Sequence, residues 1–229
     1  MSVTTKPGRA ALAAAIKDRP IHMVWGRGEA WWDAAQTVPR TFTDDTVNVG
    51  RTKIGSVTVS DADGVGTFTR DADYTVNPAA GDVTRIDGGA IAPGAPVLIT
   101  FVAARPTPSV NATSLTAEVG RRALTAVQFC TPDPAGAIIA PSGRFTPSPT
   151  PTNNLHFRFV FDFGDAATET IREVGVVIDS VMQAGLPAGQ MYFQPSEVAT
   201  PGILLLVENV APIVRSAATR ETFEFVHTF

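Results

Sequence analysis

In the segment LHFRFVFDF, Leu155 to Phe163, phenylalanine occupies every second position. A period of two puts Phe157, Phe159, Phe161 and Phe163 on one face of a strand, and His156, Arg158, Val160 and Asp162 on the other. Four rings on one face must be covered, either by the protein's own core or by another protein. The spacing therefore predicts a strand, and it makes Phe157, Phe159 and Phe161 candidates for an interface as well as for a core.

Other segments extend the pattern. IHMVW (Ile21 to Trp25), Ile171 to Ile178, GILLLVENV (Gly202 to Val210) and ETFEFVHTF (Glu221 to Phe229) read as strands. Leu115 to Cys130 can begin helically, with a strand expected over Ala123 to Cys130. The one convincing helix covers residues 8 to 18, with Leu12 and Ile16 on one face and Pro20 ending it. Between residues 44 and 104 short β-type runs (around Ile54, Val57 and Val59, then GTFTR, DYTV, DVTRI and VLITFVA) alternate with the turn clusters DADG, NPAAG, DGGA and APGAP. Both faces of Val97 to Val102 are largely apolar, as in a central sandwich strand. RPTPSV (Arg105 to Val110) is a stiff extended connector. Thr131 to Asn154 contains PSPTPTNN, and proline offers no N–H to a ladder. It is expected to be an arm or long loop. The expected fold is mainly β (α+β). It comprises an antiparallel β domain over 1–43 and 105–229, with one N-terminal helix and a Pro-rich arm at 131–154, and an inserted small β-sandwich module at 44–104.

Composition narrows the partners. Charged residues make up only 17% of the chain, and glycine and proline are frequent, which fits many short strands joined by turns. A formal net charge of -4 argues against nucleic acid or an anionic membrane as partner. AALAAAI (Ala10 to Ile16) is too weak and too soon ended by Lys17, Asp18 and Arg19 to act as a targeting segment. The longest apolar runs are too short to cross a bilayer, so a soluble chain is expected. Cys130 is the only cysteine, which leaves no internal disulfide and reads as a small buried hydrophobe.

No reactive constellation emerges. His22, His156 and His227 each fall within an expected strand, without metal-ligand spacing. GRGEAWWD (Gly26 to Asp33) lacks the third glycine and the following helix of a phosphate loop, and reads as a tight turn. The aspartates of DADGVGTFTRDAD (Asp61 to Asp73) lack the third ligand and distal glutamate of a calcium loop. Neither metal nor cofactor is expected, nor an enzyme. Trp31 and Trp32 stand adjacent and must send their rings different ways, so one can pack inward while the other anchors a protein or a sugar. Packing of both in the core competes with either role.

Six motifs in order resemble the N-terminal attachment domain of tail-collar or tail-fibre proteins of contractile-tailed bacteriophages. They are the helix KPGRAALAAAI, the strand and turn VWGRG, AEVGRR (Ala117 to Arg122), TPDPAG (Thr131 to Gly136), IREVGVV (Ile171 to Val177) and GILLLVENVAPIVRS (Gly202 to Ser216), with ETFEFVHTF closing the domain. The resemblance covers roughly residues 8–40 and 112–229, with 44–104 as an inserted module and no fibre shaft. It implies a virion structural protein of the tail baseplate and fibre-attachment apparatus, assembled in the host cytoplasm. Its partners would be baseplate wedge and tail-fibre proteins and its own copies, a trimer being the usual state for fibre attachment. A carbohydrate-binding adhesin using Trp31 or Trp32 is the alternative. Within such an assembly Arg172 and Glu173, at a strand entrance, can make charge-assisted bonds to neighbours. Arg121 or Arg122 is then a candidate partner of Glu173, and Glu118 of Arg172.

Overall fold

The computed structural model describes residues 2–229. Residues up to Gly28 together with Pro108–Phe229 form one compact unit, and Glu29–Thr107 form a second. In chain order, α1 (Lys6–Lys17) leads into β1 (Ile21–Gly26). The second unit follows with β2 (Gln36–Thr41), β3 (Thr46–Asn48), β4 (Ile54–Asp61), β5 (Tyr74–Asn77), β6 (Asp82–Arg85) and β7 (Pro96–Ala103). The chain returns to the first unit with β8 (Glu118–Ala123), β9 (Ala126–Pro132), β10 (Ile138–Ala140), β11 (Gly143–Ser148) and β12 (Asn154–Phe161). It ends with β13 (Thr170–Ile178), β14 (Val181–Met182), β15 (Tyr192–Phe193), β16 (Val198–Thr200), β17 (Ile203–Val214) and β18 (Glu221–Thr228). The protein is mainly β, as its alternating segments predict.

Helix α1 starts at Lys6, two residues before the expected position. The Thr5 hydroxyl caps it by accepting from the Gly8 amide, and Pro7 occupies the first turn, where a missing N–H does no harm. Its buried face also differs. Ala13 is fully enclosed and Ile16 packs beside it, whereas Leu12 points outward. Among the described residues no helix is long and apolar enough to cross a membrane.

Two five-stranded antiparallel sheets make the first unit, in the orders β15-β8-β1-β13-β17 and β10-β11-β9-β12-β18. Met23, Trp25, Val174, Val176 and Ile178 of the first meet Leu155, Phe157, Phe159 and Phe161 of the second. Trp25 stacks flat on Phe161, with ring centroids 3.4 Å apart. The three phenylalanines are completely buried. Each contributes about 2–3 kcal/mol through apolar area removed from water. Their face is core, which overturns the reading of Phe157, Phe159 and Phe161 as interface residues. Phe163 lies past the strand end and is exposed, under the Arg220 guanidinium.

Two further expectations are corrected here. Leu115 to Cys130 has no helical beginning: it turns through two strands, β8 and β9. The Pro-rich stretch 131–154 is not a free arm, because β10 and β11 form a hairpin that pairs onto β9. Pro147 lies opposite Cys130 but beyond the end of β10, so its missing N–H faces no second strand. Cys130, Ile138, Ala140 and Phe145 form a small core under the hairpin. Burial pushes the Cys130 thiol up to about 11, as for a packed hydrophobe.

The second unit has two three-stranded sheets, β2-β7-β4 and β3-β6-β5. Phe42, Val59, Tyr74, Val83, Ile99 and Phe101 fill its core. It begins earlier than residue 44, because β2 pairs along its whole length with β7, from Gln36 opposite Phe101 to Thr41 opposite Pro96. GTFTR adds no strand and makes two isolated bridges, Thr67 to Ser60 and Arg70 to Tyr74.

Candidate docking site

Strand β13 carries Arg172 and Glu173 where its pairing with β17 slips. Ile171 opposes Ile213 but Glu173 opposes Asn209, and Pro212 falls within the slip. The extra residues lie on β17, and along β13 Ile171 and Val174, three apart, both reach the core. Glu173 is left on the outer face of the sheet, yet only 5% exposed. Its carboxylate accepts from the backbone amide and the hydroxyl of Thr116, each at 2.9 Å. Gly26 lies directly across β1 from it, and a Cβ there would come within 2.9 Å of its Oε2. Thr116 belongs to the segment entering β8. Next to it, Leu115 packs with Val24, Val177, Leu204 and Val207 on the same outer face. Glu173 thus clasps an internal strap to the sheet.

The other charged candidates are also engaged within the unit. Glu118 holds Arg121 in a two-pronged pair, both bonds 2.8 Å, and Arg121 also donates to the Pro201 carbonyl. Arg122 pairs with Asp165, whose carboxylate also accepts from the Asp162 amide. The expected pairings of Glu173 with Arg121 or Arg122, and of Glu118 with Arg172, are replaced by these. Arg172, half-buried, donates to the Arg27 carbonyl at 3.3 Å. Arg27 in turn forks onto Glu169 with two bonds of 2.6 Å, which holds the Glu169 carboxyl below its usual range. In the second unit Trp32 is buried, while Trp31 is half-buried beneath the Arg51 guanidinium, 4.2 Å away.

Sequence reasoning missed Arg215. Its side chain is wholly buried, 5.2 Å over Trp25, and donates to the carbonyls of Asp162 and Thr219. It also missed Tyr192, whose hydroxyl donates to the Val119 carbonyl and which burial raises to about 12. The only sequence signal for Arg215 is a lone cation closing an otherwise apolar run.

A Ser–His pair does occur: Ser180 lies 2.7 Å from Nδ1 of His22. Burial first, and then the Arg121 charge, lower His22 to about 4, and Ser180 is 3% exposed. With both side chains buried and the imidazole a weak base, the pair is a packing contact rather than an activated nucleophile. No cluster of metal-ligating side chains occurs among the described residues.

What the first unit leaves open is its margin. Among the described residues strand β17 pairs only with β13, and β18 only with β12. Between them lies a groove of about 230 Å³, lined by Val174, Val176, Leu206, Phe225, Glu208 and His227. The β17 edge runs Ile203-Leu204-Leu205-Leu206-Val207 before its first charge, Glu208, and Ile203 is largely exposed. The run 203–207 of this edge holds no charge and no proline, Pro212 coming only near the strand's end, and such an apolar edge is a template for another strand.

A β sandwich whose polar clusters brace loops, and whose edge strands β17 and β18 each have one neighbour among the described residues, leaves room for another chain at its margin. The chain belongs to the family described as baseplate wedge 3 tail fiber network component, which it matches over residues 1–78 and 97–229. It is a structural component of the bacteriophage baseplate and tail-fibre apparatus. The match extends into the second unit from both sides, taking in β2 to β5 and β7. No curated protein matches the chain.

Proposed function

We propose that this chain joins tail fibres to the baseplate by protein–protein contact, in more than one copy per tail. The attachment-domain resemblance favours three copies, assembled in the host cytoplasm. The second unit is then a module carried by the attachment domain. The observation that carries this reading is the open β17 edge beside the apolar groove. An extended segment of a neighbouring tail protein adds there as a further strand, and its alternate apolar side chains enter the groove. A cavity of about 150 Å³ accepts a benzene-sized group, so the groove takes one aromatic or two aliphatic anchors. Glu208 favours a basic residue next to the anchor. One strand pair covers far less than the roughly 800 Å² per partner of a stable dimer, which favours a segment inserted from a fibre or wedge protein over simple self-pairing.

Light scattering of the chain alone and mixed with the tail's fibre and wedge proteins tests this. The mixture should yield a defined complex, and the doubly exposed-site variant I203K/E208K should reduce it at least tenfold without changing the melting temperature. A chain that stays apart from every tail protein, or a variant that binds as the parent does, refutes the reading.

A further inference from the structure

We propose that the second unit carries a binding cleft for an acidic sugar, one whose ring bears a carboxylate or a phosphate. The inference stands on the second unit alone and does not depend on the docking margin of the first. The cleft holds about 570 Å³, a size that suits one or two sugar rings. Arg51 and Lys53 line it, and neither forms an ion pair among the described residues. Arg105 lines it as well, with partners of its own. Arg40 stands beside it at Gly50, braced by donating to the Asn48 and Pro39 carbonyls. The Asp82 carboxylate behind this loop is taken up by the Asn48 amide, at 2.7 Å.

Arg51 and Lys53 are both exposed; the Arg51 side chain rests on Trp31, and the Lys53 backbone is fixed. Arg51 sits over the Trp31 ring, which removes part of the rotamer freedom a surface arginine would lose on binding. Its own carbonyl packs so closely on Gly81 that a Cβ there would clash at 1.7 Å. Lys53 sits at φ +51, in the left-handed region that favours glycine. It is fixed there by backbone bonds at both sides, its amide donating to Ala79 and its carbonyl accepting from Ala104. A lysine kept in a conformation that glycine would adopt freely points to a use for its side chain.

The walls decide between ligand classes. Ala80, Ala103 and Ala104 are small, and Thr52 and Asn48 offer polar groups. There is no deep apolar pocket for an anchoring side chain, which an acidic peptide would need for affinity. Shallow walls of mixed character, with a guanidinium seated on Trp31 and an ammonium beside it, suit an anion that also carries hydroxyls.

Calorimetric titration of the whole chain provides the test. The ligands are a galacturonate tetrasaccharide, a mannose-6-phosphate-bearing oligosaccharide, neutral maltotetraose and a deca-glutamate peptide. At least one charged sugar should bind, with affinity that falls as salt rises, and maltotetraose should not. Arg51→Gln and Lys53→Gly should each weaken binding at least tenfold, with melting temperatures no lower than the parent's. The two charged arms separate a carboxylate source from a phosphate source. Absence of binding by both charged sugars, binding of deca-glutamate as tight as theirs, or a loss below tenfold in both variants would overturn the proposal. The I203K/E208K variant should bind the sugar normally, so failure here and failure of fibre docking remain distinguishable.

Discussion

The amide and hydroxyl of Thr116 both donate to the Glu173 carboxylate, each at 2.9 Å. The contact joins residues 57 positions apart and fixes the strap before β8 to the outer face of the first sheet. Glu173→Gln places an amide donor against one of these donors. A hydrogen bond to a charged group is worth about 1.5–3 kcal/mol, so a loss of about 2 kcal/mol is expected in urea denaturation. Limited proteolysis should show new cleavage within residues 108–117. If the variant unfolds with the parent and the strap stays intact, the clasp contributes nothing.

Arg215 is the only fully enclosed cation over the Trp25 ring among the described residues, and it gathers the 162–165 and 219–221 segments. Arg215→Met strands the Asp162 and Thr219 carbonyls and leaves Glu221 facing an apolar group. Breaking such a buried set costs about 3–5 kcal/mol. Arg215→Lys should recover little of it, because one ammonium cannot span the same carbonyls in the same plane. Equilibrium unfolding of both variants checks this, and near-parental stability of either would show that the network is dispensable.

What could be read from the chain was whatever follows a period of two. Strands β12 and β18 show their alternation in sequence, β1 and β7 show as short apolar runs, and the structure places all four there. Strands β2 and β11 did not, because Pro39 and Pro147 argue against a ladder until one sees that each has a strand on one side only. The fate of a ring is equally invisible locally. Phe157, Phe159 and Phe161 would look the same whether covered by β1 and β13 or by another protein. The charged pairs failed for a related reason. Their partners, Thr116 for Glu173 and Asp165 for Arg122, come from loops whose approach depends on the whole sandwich.

His22 should make stability fall in mild acid. Its folded value is about 4 against an ordinary 6.5, because burial and then Arg121 oppose the charged ring. Between those values the unfolded chain takes up a proton that the folded chain refuses. The contribution is therefore full above about pH 6.5 and is lost progressively toward pH 4, by up to about 3 kcal/mol at 1.36 kcal/mol per pH unit. His156 and His227 are also lowered by burial and tilt the same way. The difference between parent and His22→Asn isolates His22, since asparagine can keep a bond to Ser180. Unfolding midpoints measured from pH 7.5 to 4 should fall less steeply in the variant; parallel curves would remove His22 from the account.

The strand before the second unit and the strand after it, β1 and β8, pair with each other in the first unit. Gly26 pairs with Glu118 across β1 and β8, and the Arg27 amide donates to the Ala117 carbonyl at 2.8 Å. The sandwich core contains no residue from 29–107. Replacing that segment with a short Gly/Ser bridge closes a loop at little entropic cost, because loop entropy grows only logarithmically with length. The bridged first unit should give a cooperative unfolding transition and dispersed amide resonances, and residues 29–107 expressed alone should do the same through the core around Phe42 and Phe101. A molten or aggregated product from the bridged chain would show that the sandwich needs the second unit in order to fold, and that the two are one cooperative body.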